Sequence, residues 1–195
     1  ARRQAIEELY EEGSDITGLD ADGADLRGIN LSGANLTRAS FKKAILEGAN
    51  FERAILYKAN FTEARLQGVN FSGANLKAAI FTGADLTELI NEEEKRIKVN
   101  LKGADLGRAI LDQADLCDAE FGKYKYYDEL GEEKENYTNL NGADLTFANI
   151  RNVSLNNISV SKANFSGART GEKQLDVNII RDAKSYKDAY YGQAF

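Results

Sequence analysis

The chain has 195 residues, a formal net charge of −6, one cysteine, and no histidine, proline, methionine or tryptophan, and this length suits a single domain. Without histidine there is no Ser-His-Asp or Cys-His catalytic group, and one thiol can build neither a thiolate zinc site nor an intramolecular disulfide. No apolar run approaches the roughly 20 residues of a membrane-spanning helix, so the sequence excludes the commonest enzyme centres and a membrane span.

Residues 1–13 predict a short helix that caps the N-terminal end of the domain. Ala5, Ile6, Leu9 and Tyr10 fall on one helical stripe, and Gly13 follows as a stop signal. The segment is too charged to resemble a signal peptide, but the chain does not begin with methionine, which leaves a removed leader peptide open. Because a lone thiol fits a reducing compartment, we expect a cytoplasmic protein.

From residue 24 onward a five-residue repeat governs the sequence, starting with ADLRG at 24–28. We call the large central residue of each repeat position i. Position i−2 is alanine, valine or isoleucine throughout, and position i is leucine or phenylalanine in thirteen consecutive repeats, namely Leu26, Leu31, Leu36, Phe41, Leu46, Phe51, Leu56, Phe61, Leu66, Phe71, Leu76, Phe81 and Leu86. A period of five fits neither a helix nor a long strand, so the chain must turn once per repeat around an inward-facing i−2, i pair.

Position i+2 marks the predicted corners. Glycine there allows a positive φ and predicts a type II turn at Gly28, Gly33, Gly48, Gly68, Gly73 and Gly83. At the same position, other kinds of turn are predicted at Arg38, Lys43, Arg53, Lys58 and Glu63. Four turns would close a square coil, and stacked coils would share backbone hydrogen bonds as a β-solenoid does.

These repeats resemble the pentapeptide-repeat family, whose motif is A(D/N)LXX, over residues 24–90, 99–121 and 138–169. The resemblance implies an all-β solenoid with the form of a right-handed quadrilateral β-helix. We therefore expect one pentapeptide-repeat domain over residues 1–195. Its coils are expected at 14–90, 99–121 and 138–170.

Four repeats per coil would stack residues that lie twenty positions apart. Phe41, Phe61 and Phe81 then form one column, and Phe51 with Phe71 forms a second column on the opposite wall. The predicted structural core comprises Leu46, Phe51, Leu56, Phe61, Leu66, Phe71, Leu76 and Phe81. On the outside, a ladder of stacked side-chain amides is predicted for Asn30, Asn50 and Asn70.

The repeat is first interrupted at residues 91–98. Continuing the register would bury Asn91, Glu94 and Arg96, and unpaired buried charge is costly, so this segment is predicted to loop outward. Fifteen residues separate Leu86 from Leu101, which predicts that the repeat resumes in phase.

A longer insertion, GKYKYYDELGEEKENY, occupies residues 122–137. It carries the candidate partner-binding residues Tyr124, Tyr126, Tyr127 and Tyr137, because exposed tyrosines give contact area at low entropic cost. The alternative is that these aromatic side chains fold back onto the solenoid. The loops would then cover outward isoleucines at Ile45, Ile55, Ile80, Ile90 and Ile110.

Residues 171–195 predict a C-terminal capping helix. Ile179, Ala183, Tyr186 and Tyr190 follow helical spacing. This helix caps the open end of the solenoid, and it is also the element through which a dimer would form. The protein is accordingly expected to be a monomer, or a dimer through the C-terminal helix.

No catalytic, cofactor-binding or metal-binding residues are predicted. The carboxylates occur in no metal or acid/base motif, a narrow packed solenoid offers no interior pocket, and Cys117 sits at an outward position. We therefore expect a protein that is not an enzyme and has no cofactor. It is most simply a protein-interaction or structural scaffold with an unidentified protein partner.

The resemblance brings one alternative function, because the family includes DNA-mimicking modulators of type II topoisomerases such as gyrase. Many other family members, abundant in cyanobacteria, have no assigned role. Residues 24–90 contain six acids and eight bases, so no continuous acidic track is evident. The pI of about 4.9 in turn opposes direct binding of nucleic acid.

Overall fold

The computed structural model describes residues 2–171. The predicted C-terminal helix therefore lies outside the described residues, apart from Gly171 at its start. One helix and two short antiparallel hairpins are joined by a long winding segment of isolated parallel bridges. The helix and strands are α1 (Arg2–Glu11), β1 (Leu89–Ile90), β2 (Arg96–Ile97), β3 (Lys123–Tyr127) and β4 (Glu133–Tyr137).

Each coil is hydrogen-bonded to the next through its backbone. The N–H of Leu26 donates to Ile45 O at 2.7 Å, and the N–H of Ile45 donates back to Ala24 O at 2.9 Å. Parallel bridges recur at twenty-residue intervals, as between Asn30 and Asn50. This register makes the chain a solenoid with four repeats in each coil.

The repeats turn through residues with left-handed backbone, except at Glu88 and Lys123, where the two hairpins leave the solenoid. Gly28 has a φ of 64°, and the turn is closed by the N–H of Ile29 donating to Leu26 O at 3.1 Å. The expectation of other turns at the non-glycine corners was wrong. Those corners have the same conformation, with φ between 56° and 62° at Arg38, Lys43, Arg53, Lys58 and Glu63.

The corner residues stack into four columns along the solenoid, which we number 1 to 4 in chain order. Their members with positive φ include Gly28, Gly48, Gly68, Asp118 and Asn152 at corner 1, Gly33, Arg53, Gly73 and Gly103 at corner 2, Gly18, Arg38, Lys58, Ala78, Arg108, Gly142 and Lys162 at corner 3, and Gly23, Lys43, Glu63, Gly83, Gln113, Phe147 and Gly167 at corner 4.

The interior is filled by the central residues of the repeats. The rings of Phe41 and Phe61 stack with centroids 5.1 Å apart, Phe61 stacks on Phe81 at 5.0 Å, and Phe51 stacks on Phe71 at 5.4 Å. The two columns meet edge to face, as for Phe61 and Phe71 at 5.6 Å. All eight predicted core residues have no solvent exposure, namely Leu46, Phe51, Leu56, Phe61, Leu66, Phe71, Leu76 and Phe81.

The amide ladder is present on one outer wall. Asn50 Nδ2 donates to Asn30 Oδ1 at 3.0 Å, and Asn70 Nδ2 donates to Asn50 Oδ1 at 3.2 Å. Each Oδ1 also accepts a backbone N–H two residues on, such as that of Glu52 at 3.1 Å from Asn50. The ladder therefore ties each coil to its own corner as well as to the next coil.

The first interruption changes the coil register. Asn70 bridges Asn100, and Ile80 bridges Ile110, so the stacked residues here are thirty positions apart. The five-residue phase is kept as predicted, since Leu101 and Leu106 are buried, but this coil contains thirty residues instead of twenty. The ten additional residues are accommodated by the hairpin β1–β2, whose turn carries Glu94 outward.

The helix α1 lies against the first coil, whose outer carbonyl groups have no preceding coil to bond. Arg3 Nη1 donates to Arg27 O at 2.7 Å, and the Tyr10 hydroxyl donates to Ser32 O. Ile6 is the buried residue of α1. Side chains of α1 thus satisfy backbone acceptors at an edge that could otherwise pair with another chain.

We predict that Phe61→Ala lowers the free energy of unfolding by about 3–5 kcal/mol, because it leaves a cavity in the middle of a phenylalanine column. Urea denaturation monitored by circular dichroism measures the effect. Tyr57→Ala is the control, because Tyr57 lies in the same coil with 37% of its surface exposed, and it should change stability by about 0.5 kcal/mol or less. Equal losses in both variants would contradict the assignment of the column.

Candidate functional site

The candidate site is the hairpin β3–β4, which has two distinct faces. Lys123 pairs with Tyr137, and Tyr127 pairs with Glu133, in an antiparallel register. Since paired residues share a face and successive residues alternate, Tyr124 and Tyr126 point to the opposite face from Tyr127 and Tyr137. The exposure of β3 alternates in the same way.

The inner face packs on the glycines of corner 2. A Cβ built at Gly103 would lie 2.5 Å from Tyr124 Cβ, and one at Gly73 would lie 2.8 Å from Tyr124 Cε1. Both glycines have left-handed backbone, with φ of 68° and 65°. The missing side chains at this corner therefore create the space that the Tyr124 ring occupies.

Polar contacts fix the inner face to the solenoid wall. The Tyr124 hydroxyl donates to Glu52 Oε1, and the Arg53 guanidinium lies over the Tyr126 ring, 5.1 Å from its centroid. Burial, followed by the hydrogen bond to Glu52 and the charge of Glu52, raises the pKa of Tyr124 to about 12. The hairpin is thus anchored to residues about seventy positions earlier in the chain.

The base of the hairpin is closed by Thr138. Its hydroxyl accepts the N–H of Gly122 at 2.9 Å and donates to Leu101 O at 2.8 Å, and the residue is fully buried. The backbone N–H of Thr138 also donates to Gly122 O at 3.0 Å. These bonds set the point at which the chain leaves and rejoins the solenoid.

The outer face presents two aromatic side chains to solvent. Tyr127 is 66% exposed and Tyr137 is 44% exposed. Between them, Lys123 pairs with Glu135, and Lys125 pairs with Glu133. The outer face therefore combines two exposed rings with an internally neutralised row of charges.

The tip of the hairpin is ordered by Asp128. Its carboxylate accepts the backbone N–H groups of Leu130 and Glu132, each at 2.9 Å, and pairs with Lys134 at 3.4 Å. Leu130, held by this turn, is 84% exposed. The turn therefore holds a large aliphatic side chain out into solvent.

The hairpin β1–β2 packs in the same way on the glycines of corner 1. A Cβ built at Gly68 would lie 2.7 Å from Leu89 Cβ, and one at Gly48 would lie 3.5 Å from Leu89 Cδ2. Neither hairpin covers the outward isoleucines Ile55 and Ile110, which remain 41% and 40% exposed. The hairpins therefore occupy corners 1 and 2, where stacked glycines allow a close approach.

The structure divides the four candidate tyrosines into two pairs. Tyr124 and Tyr126 pack on the solenoid, while Tyr127 and Tyr137 lie on the outer face. The alternation within KYKYY was the available signal for this division. Leu130 was missed, because the sequence gives no indication of which tip residue projects.

Two other features bear on chemistry. The pKa of the Cys117 thiol is raised to about 11, first by burial and then by its hydrogen bond to Asp118, which disfavours the reactive thiolate. Within residues 2–171 no group of three or more cysteine, aspartate or glutamate side chains is arranged to hold a metal ion. In the same range, no helix has the length and apolar character needed to cross a membrane.

Comparison with known proteins identifies a family. The model of pentapeptide repeats matches residues 14–53, 54–88, 97–123 and 136–169. No curated protein sequence matches the chain significantly. The family match, which spans most of the chain, carries the assignment.

Among solved structures, the chain is similar to HetL, a pentapeptide repeat protein involved in heterocyst differentiation regulation from Nostoc sp. strain PCC 7120. The identity is 24% over 85% of this chain and 76% of that one, with a TM-score of 0.44. It is also similar to Rfr23 from Cyanothece 51142, with 21% identity over 84% and 95% of the two chains and a TM-score of 0.36. QnrB1, a plasmid-mediated fluoroquinolone resistance protein, has 18% identity over 91% and 86%, with a TM-score of 0.29.

We predict that Gly103→Ala displaces the hairpin β3–β4 from corner 2, because the new Cβ would overlap the Tyr124 side chain. Hydrogen–deuterium exchange of the backbone amides of residues 123–137 should then accelerate. Loss of burial should also bring the phenol of Tyr124 to ionise at lower pH than in the unaltered protein, as read at 295 nm.

Gly18→Ala is the matched control. Gly18 has the same left-handed backbone, with a φ of 67°, but a Cβ there would meet nothing within 4 Å. It should cost only backbone strain of about 1–2 kcal/mol and leave exchange in the hairpin unchanged. If exchange in residues 123–137 responded equally to both substitutions, the docking of Tyr124 on corner 2 would be refuted.

Proposed function

The chain belongs to the pentapeptide-repeat family, and we propose that it is a non-catalytic protein-interaction scaffold whose contact surface is the outer face of the hairpin β3–β4. Tyr127, Leu130 and Tyr137 would carry the contact. The solenoid would supply a rigid support that holds the hairpin in one position. The partner would be a protein with an apolar recess for these side chains.

The observation that carries this proposal is the contrast between the two faces of the hairpin. The packing of Tyr124 and Tyr126 on corner 2 holds the hairpin in place. The side chains of the outer face are therefore held in position although they take no part in that packing. Leu130 at 84% and Tyr127 at 66% exposure are large side chains on an ordered element. Pre-organised aromatic and aliphatic groups of this kind bind partners at a low entropic cost.

The absence of an enzymatic role is supported by the packing of the solenoid. Its interior is occupied by phenylalanine, leucine and alanine side chains, and two cavities, one lined by Gln113 and Phe147 and one by Gly68 and Ile97, are open surface grooves. Such grooves do not exclude water from a reacting group. We propose no cofactor and no catalytic residue.

The second candidate, a DNA-mimicking modulator of a type II topoisomerase, finds less support on this surface. A mimic of the phosphate backbone needs a continuous acidic track. Within residues 2–171, carboxylates alternate with cations in pairs such as Arg65 with Glu47, and corner 3 carries Arg38, Lys58 and Arg108. A gyrase supercoiling assay tests this candidate directly, and inhibition or protection at micromolar protein would favour it.

We predict that replacing Tyr127, Leu130 and Tyr137 together by serine abolishes capture of the partner from extracts of the source cells. The substitutions lie on the outer face and at the tip of the hairpin, so the fold and the docking of Tyr124 should persist. A photo-crosslinking amino acid at position 130 should label the same partner in the unaltered background.

The control removes exposed apolar side chains elsewhere, through serine at Leu9, Ile90 and Phe147, which are 43%, 58% and 64% exposed. This variant should retain the partner. Capture of the same proteins by all three forms, or by none, would refute the hairpin as the contact surface.

A further inference from the structure

Corner 3 carries a row of cations along the solenoid. The N–H of Arg38 donates to Tyr57 O, that of Lys58 to Lys77 O, and that of Ala78 to Gly107 O, so Arg38, Lys58, Ala78 and Arg108 occupy successive levels of one corner. Lys77 lies beside the row in the neighbouring column. We call Arg38, Lys58, Lys77 and Arg108 the basic corner.

The cations of the basic corner are largely unpaired, unlike most others on the solenoid. At corner 4, Lys43 pairs with Glu63 at 3.4 Å. Among residues 2–171, by contrast, Arg38 and Arg108 have no carboxylate within ion-pair distance, and Lys58 contacts only the Tyr57 ring, 5.2 Å from its centroid.

One carboxylate borders the basic corner, and it is already engaged. Asp105 pairs with Lys77 at 3.0 Å and accepts Asn139 Nδ2 at 2.9 Å. The other outward side chains on the adjoining walls at these levels are uncharged, namely Asn35, Ser40, Ile55, Asn60, Asn75, Ile80 and Ile110. Asp20 and Asp144 stack on Ser40 and Ile110, one level beyond each end of the row. Within the row itself, Lys77 is the cation that a carboxylate neutralises.

Apolar side chains flank the cations on both sides. Ile55 is 41% exposed and Tyr57 is 37% exposed on one wall, and Ile110 is 40% exposed on the other. The hairpins occupy corners 1 and 2 and leave this strip open. A surface with a central row of positive charge and apolar margins fits an occupant with the complementary arrangement.

We propose that the basic corner binds an acidic amphipathic helix of a partner protein, laid along the solenoid axis. Successive coils rise by about 4.8 Å, and successive turns of an α-helix rise by about 5.4 Å, so carboxylates spaced three or four residues apart meet the long arginine and lysine side chains. Aliphatic residues beside those carboxylates would contact Ile55, Tyr57 and Ile110.

A helix fits this strip better than the other polyanions. The net charge of the chain is −6, and it would repel the extended phosphate backbone of duplex DNA. An anionic bilayer favours a broad field of cations, whereas these cations form a single row at a corner. This surface is separate from the outer face of the hairpin β3–β4, so its test is independent of the proposed function.

The test uses a fluorescently labelled synthetic peptide of about six helical turns, with glutamate at three- and four-residue spacing and leucine beside it. Binding to the full chain is followed by fluorescence anisotropy. The variant Arg38→Gly/Lys58→Gly/Arg108→Gly removes three charges at positions with φ of 58° to 62°, where glycine is the residue best suited to the backbone. Folding should therefore be preserved.

The matched control removes three charges elsewhere, as Lys43→Gly/Lys95→Gln/Lys98→Gln. We expect the corner variant to bind the peptide about tenfold or more weakly, with a shallower dependence of binding on salt, and the control to bind as the unaltered chain does. Equal weakening in the two variants, or no binding by the unaltered chain, would overturn the proposal. Tighter binding of a DNA duplex or of phosphatidylglycerol vesicles than of the peptide would also overturn it.

Discussion

The structure depends on one backbone constraint, namely that the repeats turn through residues with positive φ wherever the chain stays in the solenoid. The constraint is met by glycine at some corners and by arginine, lysine, glutamate, alanine or phenylalanine at others. Left-handed backbone costs a residue with a side chain roughly 1–2 kcal/mol. The hydrogen bonds that join each coil to the next fix the corner, so the conformation persists whichever residue occupies it.

This constraint also decides what each corner can do. Where glycines stack, as at Gly73 and Gly103, another part of the chain can approach the backbone, and a hairpin packs there. Where longer residues stand, as at Arg38 and Lys58, the side chains project into solvent and define the charge of the surface. The two hairpins and the basic corner are therefore consequences of which residues stack twenty or thirty positions apart.

Much of the solenoid could be predicted from the sequence, because in a strict repeat the position of a residue determines where it lies in the coil. The stacking of Phe41 on Phe61 and the amide ladder from Asn30 follow from the period alone. The coil register after Leu86 could not be predicted in the same way. The spacing of fifteen residues from Leu86 to Leu101 is a multiple of five, but it does not determine how many corners the chain passes before it rejoins the solenoid.

The candidate site was predictable only in part. The tyrosine-rich insertion indicated the segment in which we propose a contact surface, but the division between Tyr124 and Tyr127 depends on the strand register and on the space above Gly73 and Gly103. The projection of Leu130 depends on the turn that Asp128 organises. The packing of Tyr124 on Gly73 joins distant parts of the chain, which local patterns do not encode. The Asp128 turn is local, but its sequence does not show which of its side chains projects.

The most direct test of the central constraint is the sign of the stability change in Ala78→Gly, measured by urea denaturation. Ala78 has a φ of 54°, so glycine should raise the free energy of unfolding, since relief of left-handed strain outweighs the added freedom of the unfolded chain. Ala5→Gly within α1 should lower it by about 1 kcal/mol, as glycine does in ordinary helical backbone. A loss of stability in Ala78→Gly comparable to that in Ala5→Gly would contradict left-handed corners at non-glycine positions.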